Sequence, residues 1–278
     1  MRKIISLFVC LAICNQITAQ YLEVGTTVGL TSSISDLQPN NPSFASFGLT
    51  YGLVGRYHYR PSVSLKATAM SGSFYATDRY ARGSIRFRNL ESRTQFYELA
   101  ATAEWNIMPY DIMEGNTTTP YFFAGVAGLY FNPQARPVLA ENTWTNLRLL
   151  GTEGQTLEGG KLYSPLQVAI PFGFGMKTAF GKRINVGIEA GMRYTFTDYL
   201  DDVSGYYPDL AALKAQNPMA AALSFRTPEV VASTIELPSG SKRGDAYKSD
   251  LYYYIGLNFT YNLADTKKME FNPQYKAF

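Results

Sequence analysis

Few residues in this chain are of the types that do chemistry. Both cysteines, Cys10 and Cys14, lie in the first twenty residues, and the single histidine is His58, just ahead of Arg60-Pro61. A histidine can act as general base for a nearby serine or pair with an aspartate. A histidine beside a short turn has no long loop from which to assemble such a site, so His58 reads as a rim or lumen residue. One histidine without cysteine makes no zinc spacing. The stretch TDYLDDVSGYYPD gathers Asp198, Tyr199, Asp201 and Asp202, with Asp209 beyond. Calcium is the chemistry such oxygens suggest, but the stretch lacks the alternation and the closing Glu of an EF-hand loop, and it reads instead as a capped, hydrogen-bonded loop. GTEGQTLEGG is glycine-rich yet has no Lys-Ser/Thr and no following helix, so it is no phosphate loop. The expectation is a protein without catalytic residues, metal or cofactor.

The remaining charges fall at a different spacing. In INVGIEAGMRYTF, Ile184, Val186, Ile188, Ala190, Met192, Tyr194 and Phe196 share one face of an extended chain, and Glu189 and Arg193 share the other with Asn185, Gly187, Gly191 and Thr195. In a soluble sandwich the apolar face would be the core. In an outer-membrane barrel it meets lipid, and about ten residues are needed to cross. Eight segments alternate in this way, near 21–31, 47–59, 62–72, 95–107, 120–131, 166–180, 183–196 and 250–263. Their polar face carries Glu23, Arg56, Lys66, Glu98, Glu104, Lys177, Glu189 and Arg193. Eight strands enclose a lumen wide enough only for side chains, so these charges must pair across it. Pro171 interrupts a strand and predicts a bulge or bend there. Gly173 and Gly175 beside it would leave room for Tyr252 or Tyr254.

The connections point the same way. They are short at Arg60-Pro61 and Gly181-Lys182, intermediate from Met108 to Thr119, and long at about 32–46, 73–94, 132–165 and 197–249. Short turns at one end, long loops at the other and an even strand count are the arrangement of an antiparallel, eight-stranded outer-membrane β-barrel. Within the longest loop, DLAALKAQNPMAAAL has helical composition broken at Asn217-Pro218, which predicts two short helices packed on the barrel's own loops.

The beginning of the chain, MRKIISLFVCLAICNQITAQ, reads as a secretory signal peptide over residues 1–19, cleaved after Ala19. Of 25 basic and 22 acidic residues, removing Arg2 and Lys3 leaves 23 against 22, a balance that argues against nucleic acid as a partner. The 21 tyrosines exceed the 17 phenylalanines and two tryptophans, as suits residues placed half in lipid and half in water. The expected organisation is the leader, a barrel over 20–263 and a periplasmic tail over 264–278.

Several phrases resemble a known family: YELAATAEWNIMPY, PYFFAGVAGLYFNPQA, LLGTEGQ, AIPFGFGMK and GMRYTFTDYLDDVS. Together they are similar to the PorG-type outer-membrane component of the type IX secretion system of Bacteroidetes, most strongly over 95–205, with LGTEGQ and YTFTDYLDDVS the most specific pieces. The resemblance implies a role in place of a reaction: a barrel associated with the periplasmic ring of the PorK lipoprotein and PorN, holding that ring under the membrane. Outer-membrane lipids and ring proteins are then the expected partners, with no small-molecule substrate. Contact would fall on the short-turn side, with Arg60, Tyr110, Asp111 and Lys182, and on the tail, with Lys267, Lys268, Phe271 and Tyr275, since basic and aromatic residues suit interface anchors. The alternative reading is a small porin or an adhesin acting through its long loops.

Overall fold

A computed structural model describes residues 21–37, 46–81, 83–112, 115–137, 142–231 and 239–263. The expected leader and tail, with Lys267, Lys268, Phe271 and Tyr275, lie outside the described residues. Nine strands follow in order: β1 (Tyr21–Ile34), β2 (Gly48–Arg60), β3 (Val63–Thr77), β4 (Glu91–Asn106), β5 (Thr118–Ala135), β6 (Thr145–Asn146), β7 (Leu166–Phe180), β8 (Ile184–Thr195) and β9 (Leu251–Asn262). Every pairing is antiparallel. β1 pairs with β2 and β9, and β4 pairs with β5, so eight strands close on themselves while the two-residue β6 lies against the upper end of β5.

Side-chain burial along each strand is the reverse of that in a soluble protein. The outward positions are apolar and open, including Leu53, Leu99, Val126, Phe174, Ile188 and Leu257, while the inward positions carry Glu, Arg, Lys, Thr and Asn buried to nearly zero exposure. A water-soluble fold would pay for that pattern twice, in exposed hydrocarbon and in desolvated charge. In a bilayer, lipid covers the outside, the closed ladder pairs the backbone from strand to strand, and the charges need only find one another.

The strands reach further on the long-loop side than the alternation alone implies. β3 continues to Thr77, β4 begins at Glu91 and β5 runs to Ala135. The register Thr77↔Glu91 shows that much of the expected 73–94 loop is a hairpin standing above the membrane. Apolar alternation stops where lipid stops, but hydrogen-bonded pairing does not.

Pro171 causes no bulge. Pairing of β7 with β5 lapses over Ile170 and Pro171, opposite Gly125 and Val126, and resumes in the same register, because a residue without an N–H can be skipped without inserting one. The register shift falls at His58/Arg60, where β2 turns into β3. Gly175 makes room for Tyr121 and Gly173 for Phe123; a Cβ on Gly175 would stand 2.5 Å from the Tyr121 ring. Tyr254 instead fills the space left by Gly29 and Gly256.

The helical composition after Asp209 becomes α1 (Leu210–Gln216) and α2 (Pro218–Ser224), N-capped by Asp209 and Asn217. Leu223 packs on Ala135 and Leu147, so the helices rest on the barrel's own loops.

Candidate functional site

The candidate site is the lumen and the two structures that close it. In the half nearer the short turns, the strands bring one carboxylate into the middle of three cations. Glu104 accepts from Arg56 Nε at 2.9 Å and from Lys177 Nζ at 2.8 Å, and Lys66 Nζ lies 3.4 Å away. Arg56 also donates to Glu23 at 2.9 Å, and Lys66 continues to Glu189. Further along the barrel Arg193 reaches Glu98 at 3.4 Å. All eight charges expected in the lumen are therefore buried there, four carboxylates against four cations. Coulombic pairing at low dielectric offsets desolvation only when remaining lone pairs are also used. Here Thr260 donates to Glu23 at 2.9 Å, Tyr121 to Glu189 at 3.0 Å, and Tyr252 to Glu98.

His58 belongs to the same network, which its type and position alone did not reveal. Its Nε2 lies 2.7 Å from Glu23 Oε1 and its Nδ1 3.0 Å from Ser64 Oγ. A Glu–His–Ser chain has the outline of a hydrolytic triad. It is fully buried, and Lys177 Nζ lies 3.4 Å from the same hydroxyl.

Two plugs close this lumen. At the short-turn end, the segment after β4 folds back into the mouth. Tyr110 N donates to Pro61 O at 3.0 Å, its hydroxyl donates to Asn185 Oδ1 at 2.6 Å, and its ring gathers with Tyr21, Ile112 and Ala179. Tyr110 and Asp111, expected on a partner surface, are thus buried inside the mouth, because an aromatic residue in a turn over a barrel end covers hydrocarbon by turning inward. Arg60 and Lys182 do stand exposed at this end.

At the other end, Leu200 plunges into the mouth and packs with Phe74, Phe96, Leu129, Phe131 and Tyr252. The acidic loop holds it there. Asp250 accepts from Leu200 N at 2.9 Å, Asp201 from Leu37 N and Val203 N at 3.0 Å each, and Asp202 from Thr152 at 2.5 Å and Tyr163 at 2.7 Å. Glu153 takes Ser204 N at 2.9 Å and pairs with Arg243 at 2.8 Å. The segments LGTEGQ and YTFTDYLDDVS, far apart in sequence, therefore meet through Thr152–Asp202 and Glu153–Ser204. Burial pushes the Asp201 carboxyl up to about 7 and that of Asp202 to about 6. Asp198, partly buried beside Tyr199 with both carboxyl oxygens out of solvent, is pushed up to about 8 by burial, with Asp36 and Asp201 adding to it. Among the described residues no three acidic or histidine groups are placed to hold a metal ion.

A closed antiparallel barrel with an apolar exterior, a charge-paired interior and long loops at one end is an outer-membrane barrel protein. Within that class, the chain belongs to the family described as Domain of unknown function (DUF6089), matched over residues 2–218. No curated protein matches it. Solved structures similar to it include Neisserial surface protein A, NspA (9% identity, 86% of this chain and 96% of that one, TM-score 0.40). Others are Ail, the attachment invasion locus protein of Yersinia pestis, in complex with the heparin analogue sucrose octasulfate (10%, 88% and 100%, 0.38), and the N-terminal β-barrel domain of Pseudomonas aeruginosa OprF (9%, 87% and 99%, 0.36).

Proposed function

We propose that this protein is a non-enzymatic outer-membrane barrel of PorG type that anchors the periplasmic ring of a type IX secretion machinery. The observation that carries the reading is the doubly closed lumen. A barrel stopped by Leu200 above and Tyr110 below, with its interior charges balanced, is built to be rigid and not to conduct. Rigidity suits an anchor. The resemblance in LGTEGQ and YTFTDYLDDVS supports the same reading, since those segments build the outer plug that a conduit would lack.

The ring, made of PorK- and PorN-like proteins, would meet the short-turn end. Arg60, Lys182, Tyr59 and Met108 are exposed there, while Lys267, Lys268, Phe271 and Tyr275, the other anchors of the proposal, lie outside the described residues. Affinity purification of the full-length protein from outer membranes, beside a form truncated after Leu263, tests this with co-purified proteins identified by mass spectrometry. Ring subunits should come with the full-length form and be lost on truncation. If both forms emerge alone while folded by heat-modifiable gel mobility, the anchor reading fails.

A further inference from the structure

The outer surface is not uniformly covered with bulky side chains. β7, β8 and β9 present Phe172, Phe174, Met176, Ile188 and Leu257 to the lipid, whereas β3 and β5 present the small Ala69, Ser71 and Gly128. The result is a hollow of about 850 Å³ walled by Tyr51, Leu53, Tyr97, Leu99, Tyr130 and Leu166.

What stands above the hollow is polar and ordered by the register. One row up from Ser71, Tyr97 and Tyr130 come Ser73, Gln95 and Asn132; the next row is Tyr75, Arg93 and Gln134. Asn132 and Gln134 both donate to Asn146 Oδ1, at 2.9 and 2.8 Å. Arg93 lies over the rings of Tyr75 and Trp144, 5.8 and 5.4 Å from their centroids, and its Nε has no hydrogen-bond partner. Neighbouring arginines are engaged: Arg136 with Glu91 at 2.6 Å, Arg226 with Glu229 at 3.0 Å. Among the described residues Arg93 has no carboxylate. It is a guanidinium held by aromatic faces, its buried Nε without a hydrogen-bond partner, in the row above an amide row and an apolar hollow.

We propose that this face seats a phosphate-bearing glycolipid of the outer leaflet. Its acyl chains fill the hollow over Ala69 and Gly128, its sugar lies along Tyr97, Tyr130 and the amide row, and its phosphate takes the donors of Arg93. Arginine suits that last contact because its planar fork matches phosphate oxygens two at a time. The proposal rests on the outer-membrane location but not on the ring-anchor role.

The test uses the full-length protein in detergent with phosphorylated lipid A as probe, and lipid A stripped of phosphate as its comparison. Trp144 supplies the signal in a Trp105→Phe background, because it sits against Arg93. Phosphorylated lipid A should bind about tenfold more tightly than the dephosphorylated form, an energy step of about 1.4 kcal/mol. Arg93→Gln should abolish that preference. Gly128→Leu should weaken both lipids, and its Cβ points into open space, so the barrel has no reason to change. Equal binding of the two lipids by the parent protein, or an unchanged preference in Arg93→Gln, overturns the phosphate seat. Unchanged binding in a folded Gly128→Leu overturns the acyl hollow. Membrane fractionation of the same variants reports separately on the outer-membrane location beneath the proposal.

Discussion

The two ends of the interior solve opposite electrostatic problems. In the half nearer the short turns each buried carboxylate meets a cation, and Glu104 meets three. In the outer plug, Asp36, Asp198, Asp201, Asp202, Glu153 and Asp250 crowd together with Arg88 and Arg243 as the cations facing them. The first is set by strands, whose period of two fixes which side chains face inward. The second is set by loops, where carboxylates serve as acceptors for backbone N–H groups that a descending, non-repetitive segment would otherwise leave unmet.

The largest effect should come from the centre of the lumen. Glu104→Gln leaves Arg56, Lys66 and Lys177 sharing too little negative charge, and removing one partner from a buried ion pair costs about 3–5 kcal/mol. Urea unfolding in detergent, followed by heat-modifiable mobility, should show that loss. At the other end Leu200→Ala removes the side chain that fills the outer mouth, at about 2–5 kcal/mol for a buried leucine. Its cost should appear as protease cleavage between 197 and 231 with the barrel still folded, whereas Glu104→Gln should weaken the barrel itself. Gly175→Ala overpacks against Tyr121 and should cost about 1–3 kcal/mol, confined to the lumen.

A smaller effect belongs to the outer plug and is read through pH. The Asp198, Asp201 and Asp202 carboxyls titrate above their ordinary 3.8 in the closed plug. Between roughly pH 4 and 8 the closed form therefore binds protons that an opened loop releases, so closure strengthens as pH falls and weakens as pH rises. Hydrogen exchange at 198–204, corrected for intrinsic rate, should be faster at pH 9 than at pH 6 by about tenfold or more. The smallest effect belongs to Arg60→Ala and Lys182→Ala, which should leave stability within about 0.5 kcal/mol while testing the ring surface.

How legible these features were follows from the same division. Strand order, the inward charges and the sidedness of the loops could be read because period-two alternation over a lipid-thick segment has no soluble equivalent of that length. What escaped was set by space and not by pattern. Tyr110 reads as a surface aromatic in a turn until the barrel mouth beneath it is known. His58 carries no sign that Glu23 and Ser64 lie across the pleat from it. The partner of Gly175 is Tyr121 on the neighbouring β5, which a count along either strand does not reveal. The upper reach of β3, β4 and β5 was hidden because polar residues above the membrane pair as well as apolar ones within it. The acidic loop could be read as hydrogen-bonded, but that Leu200 within it plugs the barrel depended on the rings of β3, β4, β5 and β9 converging at one height.

The measurement that bears on the account as a whole is conductance of the refolded, full-length protein in a planar bilayer at neutral pH. A lumen filled by paired charges and closed by Leu200 and Tyr110 predicts a flat baseline, with no discrete steps for the parent protein or for Arg60→Ala. Stable, unitary conductance from the folded parent protein would mean that water and ions pass between those plugs, and would contradict the reading of this barrel as a solid anchor.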